Sequence, residues 1–245
     1  MEQVAALGWG AWAICAVAVF AGTILQRLAG QGLGMLASPV LAIVAPDFLP
    51  GSMLLVGLVV GFGAVSVELS ALTRHELPPG FAGRAVGAVL AAWIAVHVVD
   101  TGAFAYLVAG MVFLGIALSL LGLRVAIRPL SLFLASTLGG IMGTLTAVGA
   151  PPLALLYQHE EARRSAAMQN VFFAWGMVMS ITALSVAGLI GLRHIVMALS
   201  LLPFVLLALW LAHPLAGRAA KARIRPVALS LAGVAATVLL VKQMI

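Results

Sequence analysis

Along the chain, hydrophobic positions gather into long runs that are apolar on every side, with short polar links between them. A half-buried strand would alternate apolar and polar residues, and these runs do not. About 20 apolar residues span hydrocarbon as a helix. By that measure spans are expected at 8–28, 52–72, 81–99, 102–123, 129–148, 165–190, 193–212 and 226–241. Two spans run into Gly-rich breaks. The first break is Gly30-Gln31-Gly32-Leu33-Gly34 with Ser38-Pro39 after it, and the second is Gly143-Thr144-Leu145-Thr146-Ala147-Val148-Gly149-Ala150 with Pro151-Pro152. Each proline opens a short apolar segment, 39–45 and 152–159, expected to be a short helix. Within a bilayer, irregular backbone survives only where protein or a water-filled cavity satisfies it. Paired breaks at corresponding points of two halves are the sequence mark of a transporter binding site.

Composition strengthens the membrane reading. Of 245 residues, 64% are hydrophobic and 8% charged, against roughly 25% charged in a soluble domain. The net charge of +6 does not point to nucleic acid, because the basic residues are dispersed among the links rather than clustered on a polar face. The single cysteine, Cys15, lies inside an apolar run and is expected to be an inert buried thiol. The first residues hold Glu2 and no Lys or Arg, so the basic region of a cleaved signal is missing and the first span is expected to be retained.

The two halves match in architecture. A shift of 113 residues superposes Gly30 on Gly143, Pro39 on Pro152 and Ser52 on Ser165. The halves are 1–124, with a broken helix over 8–45 and spans 52–72, 81–99 and 102–123, and 125–245, with a broken helix over 129–159 and spans 165–190, 193–212 and 226–241. If each broken segment doubles back, the links carrying Arg74 and Arg84, Arg124 and Arg128, Arg163 and Arg164, and Arg218, Lys221, Arg223 and Arg225 share one side. That side is cytoplasmic by the positive-inside rule. Each half then makes three net crossings. The fold class expected is an all-α polytopic membrane protein of two inverted-topology repeats, each a broken helical hairpin plus three transmembrane helices, in the inner membrane with both termini extracytoplasmic.

At these residues the chain resembles the sulfite exporter TauE/SafE family. The features that carry the resemblance are the two Gly-rich turns followed by Ser38-Pro39 and Pro151-Pro152, and the helix start Arg164-Ser165-Ala166-Ala167-Met168-Gln169-Asn170 after the second break. They span about residues 8 to 243. Gln31, Leu33 and Met35 interrupt the first glycine run, and Thr146-Ala147-Val148 the second, where the family often has consecutive glycines. The resemblance implies transport of small sulfur-containing anions such as sulfite, thiosulfate or organosulfonates including sulfoacetate, with export favoured.

Candidate chemistry collects at the breaks. Serine caps orphan helix amides and proline suits a first helical position, so Ser38-Pro39 is expected to start one short helix and Pro151-Pro152 the other. Helix amino ends attract anions, and two of them converging at the midplane would bind a small anionic substrate with few charged side chains. Arg27, at the end of the first apolar run, either faces that substrate or reaches the headgroups. The substrate-binding set expected is Arg27, Gly30, Gln31, Gly32, Gly34, Ser38, Pro39, Thr144, Thr146, Gly149, Pro151, Pro152, Gln169 and Asn170, with Gln26 as a further hydrogen-bonder beside the first break. Glu68, or His97 with Asp100, could relay a coupling proton or ion, though interfacial pairing is the better expectation for each. His159-Glu160-Glu161 lacks the spacing of a zinc motif, no Walker-type run is present, and no cofactor is expected. An intramembrane serine enzyme would need a mid-span Ser–His pair, and no histidine lies beside Ser38. A channel or non-transporting scaffold is the alternative to a carrier.

Overall fold

The computed structural model describes residues 7–29, 32–65, 69–99, 101–215 and 221–244. Ten α-helices order the described residues: α1 (Trp9–Ala29), α2 (Leu33–Val44), α3 (Gly51–Val65), α4 (Leu77–Val98), α5 (Ala103–Leu120), α6 (Pro129–Thr146), α7 (Pro151–Tyr157), α8 (Ala162–Val186), α9 (Leu192–Ala212) and α10 (Lys221–Met244). No strand occurs among them. Six helices, α1, α4, α5, α6, α8 and α9, are each long and apolar enough to cross a bilayer. α3, described to Val65, covers the first part of the span expected at 52–72, and the apolar part of α10, 229–244, is as long as the span expected at 226–241. Large apolar side chains such as Trp93, Leu130, Val186, Leu192 and Trp210 point outward, while Thr23, Ser38, Ser136, Thr144 and Asn170 are fully buried. Lipid, being as apolar as leucine, gives no reason to hide the former, and buried small polar residues let helices approach closely. The chain is a polytopic membrane protein.

Both breaks turn the chain back on itself. α1 and α2 are antiparallel: Gly22 lies against Leu33, and Ala13, Ile14 and Val17 share a groove with Leu36 and Val40. α6 and α7 are antiparallel too, with Gly139 and Gly143 against Gly149 and Leu132 in one apolar cluster with Leu153 and Leu156. Most of the helix pairings recur when the first five helices are exchanged for the last five, the contact of α2 on α5 being an exception. α4 packs on α6 as α9 packs on α1, α4 on α8 as α9 on α3, and α5 on α7 as α10 on α2. α3 packs on α8 and α5 on α10, each on its own counterpart.

The hairpins come from opposite ends of the bundle. At one end α2 finishes beside Lys242, whose Nζ donates to Ile43 O at 2.6 Å. Asp47, Thr101 and Arg193 line a cavity of about 240 Å³ with Lys242 there. At the other end α7 finishes at Tyr157, which bonds Glu76, and Gln158 donates to Leu123 O at 2.6 Å. Arg163 and Arg164 reach Ser70 and Thr73 at that same end.

Three expectations are corrected. Ser38-Pro39 does not start the first short helix: α2 begins at Leu33, after Gly32, and holds both residues in its interior. Gly32 takes φ +151, a conformation that glycine reaches without a Cβ clash, so the turn is completed before serine or proline is needed. Arg84 is not a link residue. α4 starts at Leu77, four residues earlier than expected, and carries Arg84 into the bundle. The link expected between 212 and 226, which carries Lys221, Arg223 and Arg225, is not all loop, since α10 starts at Lys221.

Candidate functional site

The two breaks meet. Gly34, one residue into α2, lies so close to the Ala147 carbonyl and the Val148 nitrogen that a Cβ there would overlap them. Met35 packs with Met142 and Val148. α6 ends at Ala147, which takes the left-handed conformation at φ 59. Thr146 holds that turn: its hydroxyl donates to Met142 O at 2.8 Å and accepts from the Val148 amide at 3.3 Å. Pro151 then sits at the first position of α7, where its missing N–H costs nothing.

The other sequence candidates lie along α1, α2, α6, α7 and α8. Arg27 is buried in the last turn of α1. Ser38 is fully buried and its hydroxyl has no partner among the described residues. The Thr144 and Ser180 hydroxyls bond across α6 and α8 at 2.7 Å. Gln169 donates to Ser165 Oγ at 2.9 Å, and among the described residues its carbonyl oxygen and both amide atoms of Asn170 are buried without a partner. Gly149 and Pro152 are buried at the second break. Gly30 and Gln31 lie outside the described residues, as do Glu68 and Asp100.

Sequence reasoning missed Arg84. Its side chain is 1% exposed. Nε donates to Phe172 O of α8 at 3.2 Å, and Nη1 donates to Gly139 O of α6. Gly139, Gly143 and Gly149 line one edge of the guanidinium, and Gly176 lies against the other, so closely that a Cβ at Gly149 or Gly176 would collide with it. Among the described residues no carboxylate pairs with it; Glu76 and Glu160 both bind Arg164. The signal that could have found it is the glycine spacing itself: Gly139-Gly140-x-x-Gly143 on α6 and Gly83-Arg84-x-x-Gly87 on α4 are complementary small faces. Gly83 and Gly87 do pack on the Phe133 and Thr137 carbonyls. Under the 113-residue shift, Arg27 falls on Gly140, a neighbour of this cradle, so the two buried arginines are not repeat counterparts.

A sequence model of the sulfite exporter TauE/SafE family matches residues 14–239, from within α1 to within α10 and across both breaks. The chain belongs to that family. TauE/SafE proteins are membrane transporters of sulfur anions rather than enzymes, and the all-helical bundle with two re-entrant hairpins accords with that. No curated protein and no solved structure matches the chain.

Proposed function

We propose that this protein is a secondary transporter of small sulfur-containing anions, sulfite, thiosulfate or an organosulfonate such as sulfoacetate, working in export by alternating access. The observation that carries the reading is the contact of Gly34 with Ala147 and Val148, which joins two oppositely inserted hairpins inside a TauE/SafE bundle. Discontinuous helices that meet within a membrane protein are where transporters hold substrate. The halves 1–124 and 125–245 act as inverted repeats, a reading supported by the exchange symmetry of the packing. Rocking one repeat on the other would open the junction first to one end and then to the other.

The anion site in this reading is drawn from Arg27, Gly30, Gln31, Gly32, Gly34, Ser38, Pro39, Thr144, Thr146, Gly149, Pro151, Pro152, Gln169 and Asn170. Unpartnered buried hydroxyl and amide groups at Ser38 and Asn170 support it, because such groups normally find a partner. The protein resides in the inner membrane, with the Arg163–Arg164 end cytoplasmic and both termini outside. A proton or another ion would drive it. The test is counterflow in proteoliposomes. Saturable uptake of labelled sulfite, thiosulfate or sulfoacetate, accelerated by the same anion inside, is expected. Flux that rises linearly with concentration and shows no counterflow would instead mean a channel, and no flux of any of the three would mean a scaffold.

A further inference from the structure

We infer that Arg84 is the residue that receives the oxyanion group of the substrate, taking it in place of the Gly139 and Phe172 carbonyls. This deepens the transporter reading and rests on it.

The residue has the right depth. Arg84 lies seven residues into α4, Gly139 ten into α6 and Phe172 ten into α8, and these three helices start at the same end of the bundle. At 1.5 Å per residue the guanidinium is about 10–15 Å inside. It also has the right charge. No other Asp, Glu, Lys or Arg occurs in 129–157, in 165–186 or in the rest of α4. A buried cation held only by carbonyls, with no carboxylate among the described residues, is a costly arrangement that membrane proteins keep for function. An anionic substrate would supply the counter-charge that no described residue provides.

The donors suit a sulfur oxyanion. A guanidinium has five N–H donors in a planar fork. Two are engaged, and Nη2 bonds to no described residue. Such a fork grips two oxygens of one –SO3 group at once, which an ammonium cannot do. A second observation points to a ligand independently. Ser136 Oγ, one turn before Gly139 on α6 and beside Gly83, is fully buried with no partner among the described residues. It is a neutral donor one turn from the Gly139 carbonyl that Nη1 holds. The glycines at 149 and 176 keep the space that the guanidinium occupies.

The arrangement also couples binding to motion. Arg84 belongs to the first five helices, and the described residues that hold its guanidinium belong to the last five. An anion that draws the guanidinium off Gly139 and Phe172 loosens a tie between the two halves.

The experiment uses the full chain, purified and reconstituted, with sulfite, thiosulfate and sulfoacetate as probes. Binding is read as an anion-dependent rise in melting temperature, and flux as counterflow. Arg84→Gln is expected to lose the melting shift and to cut flux about 100-fold, as removal of a charged bidentate donor does. Arg84→Lys is expected to raise KM about 10-fold or more, and Ser136→Ala to raise KM severalfold with kcat unchanged. If Arg84→Gln does not fold, the other two variants decide. Wild-type KM in Arg84→Lys and Ser136→Ala, or a wild-type melting shift in Arg84→Gln, overturns the assignment. Wild-type protein that binds an anion without moving it overturns the transporter reading alone, and wild-type protein that neither binds nor moves any of the three overturns both.

Discussion

Tyr157 donates its phenolic proton to Glu76 Oε2 at 2.6 Å, both side chains being buried. The bond ties the last residue of α7 to the one-turn 3-10 helix, Arg74–Glu76, that leads into α4. Arg164 takes the other carboxylate oxygen and also pairs with Glu160, and its guanidinium lies 5.9 Å from the Tyr157 ring centroid. Three segments are thus closed around one carboxylate at the end of the bundle away from Asp47.

The closure predicts unequal losses. Tyr157→Phe leaves a buried carboxylate oxygen without its donor, which costs on the order of 1–3 kcal/mol. Arg164→Met removes the only cation bonded to Glu76 among the described residues other than the distant His75 contact at 4.0 Å. Because Arg164 is partly exposed, roughly 2 kcal/mol is expected, between the exposed and buried limits. Both changes act on one group, so the double variant should lose less than the sum. Unfolding in detergent by heat or denaturant reads all three, and strict additivity would show that the cluster is not a unit.

At the crossing of the hairpins, Gly34→Ala places a methyl group on the Ala147 carbonyl. Main chain on both sides cannot yield, so the hairpins must separate. A lower melting temperature and loss of counterflow are expected. Gly102→Ala is the control, since nothing lies within 4 Å of a Cβ there. Equal behaviour of the two variants would remove the crossing from the mechanism.

The left-handed turn at Ala147 carries strain that glycine would relieve. A non-glycine residue in that conformation costs roughly 1–2 kcal/mol. Ala147→Gly should therefore stabilise the protein by up to about 1 kcal/mol. Thr146→Val should destabilise it by a similar amount, because the Val148 amide loses its acceptor and water does not reach it. Opposite shifts in melting temperature check both.

How far the sequence was readable follows from which physics governs each part. The runs of apolar residues pointed to the long helices, because length and composition alone decide what crosses hydrocarbon, and the two breaks pointed to the short ones. Charge placement grouped Arg163–Arg164 with the loop before α4, and the Arg164 bonds to Thr73 and Glu76 agree. Ser38-Pro39 misled because a proline inside a helix and a proline at its start look alike in sequence, and the real start used the backbone freedom of Gly32. Arg84 was hidden for a related reason. Pro78-Pro79-Gly80 reads as a polar link, yet proline is favoured in a first helical turn, and α4 simply runs on past it. The glycine spacing on α4 and α6 hints at their contact, but that Gly149 and Gly176 also close on the arginine depends on three chain segments meeting, which no local pattern encodes.

The two ends of the bundle give the last prediction, on sidedness. Thr101 is exposed at the end that holds Asp47, Arg193 and Lys242, and His159 is exposed at the end that holds Arg163 and Arg164. Cys15, the one native thiol, is fully buried and should stay silent toward an impermeant maleimide. In right-side-out vesicles Thr101→Cys should label at once, and His159→Cys only after the membrane is opened. Labelling of both from one side would break the double-hairpin topology, because the chain passes from the Thr101 link through α5, then down and back through α6 and α7, before reaching His159. The reverse pattern would keep the topology and invert the protein in the membrane. It would place the paired arginines outside, where the distribution of positive charge argues against them.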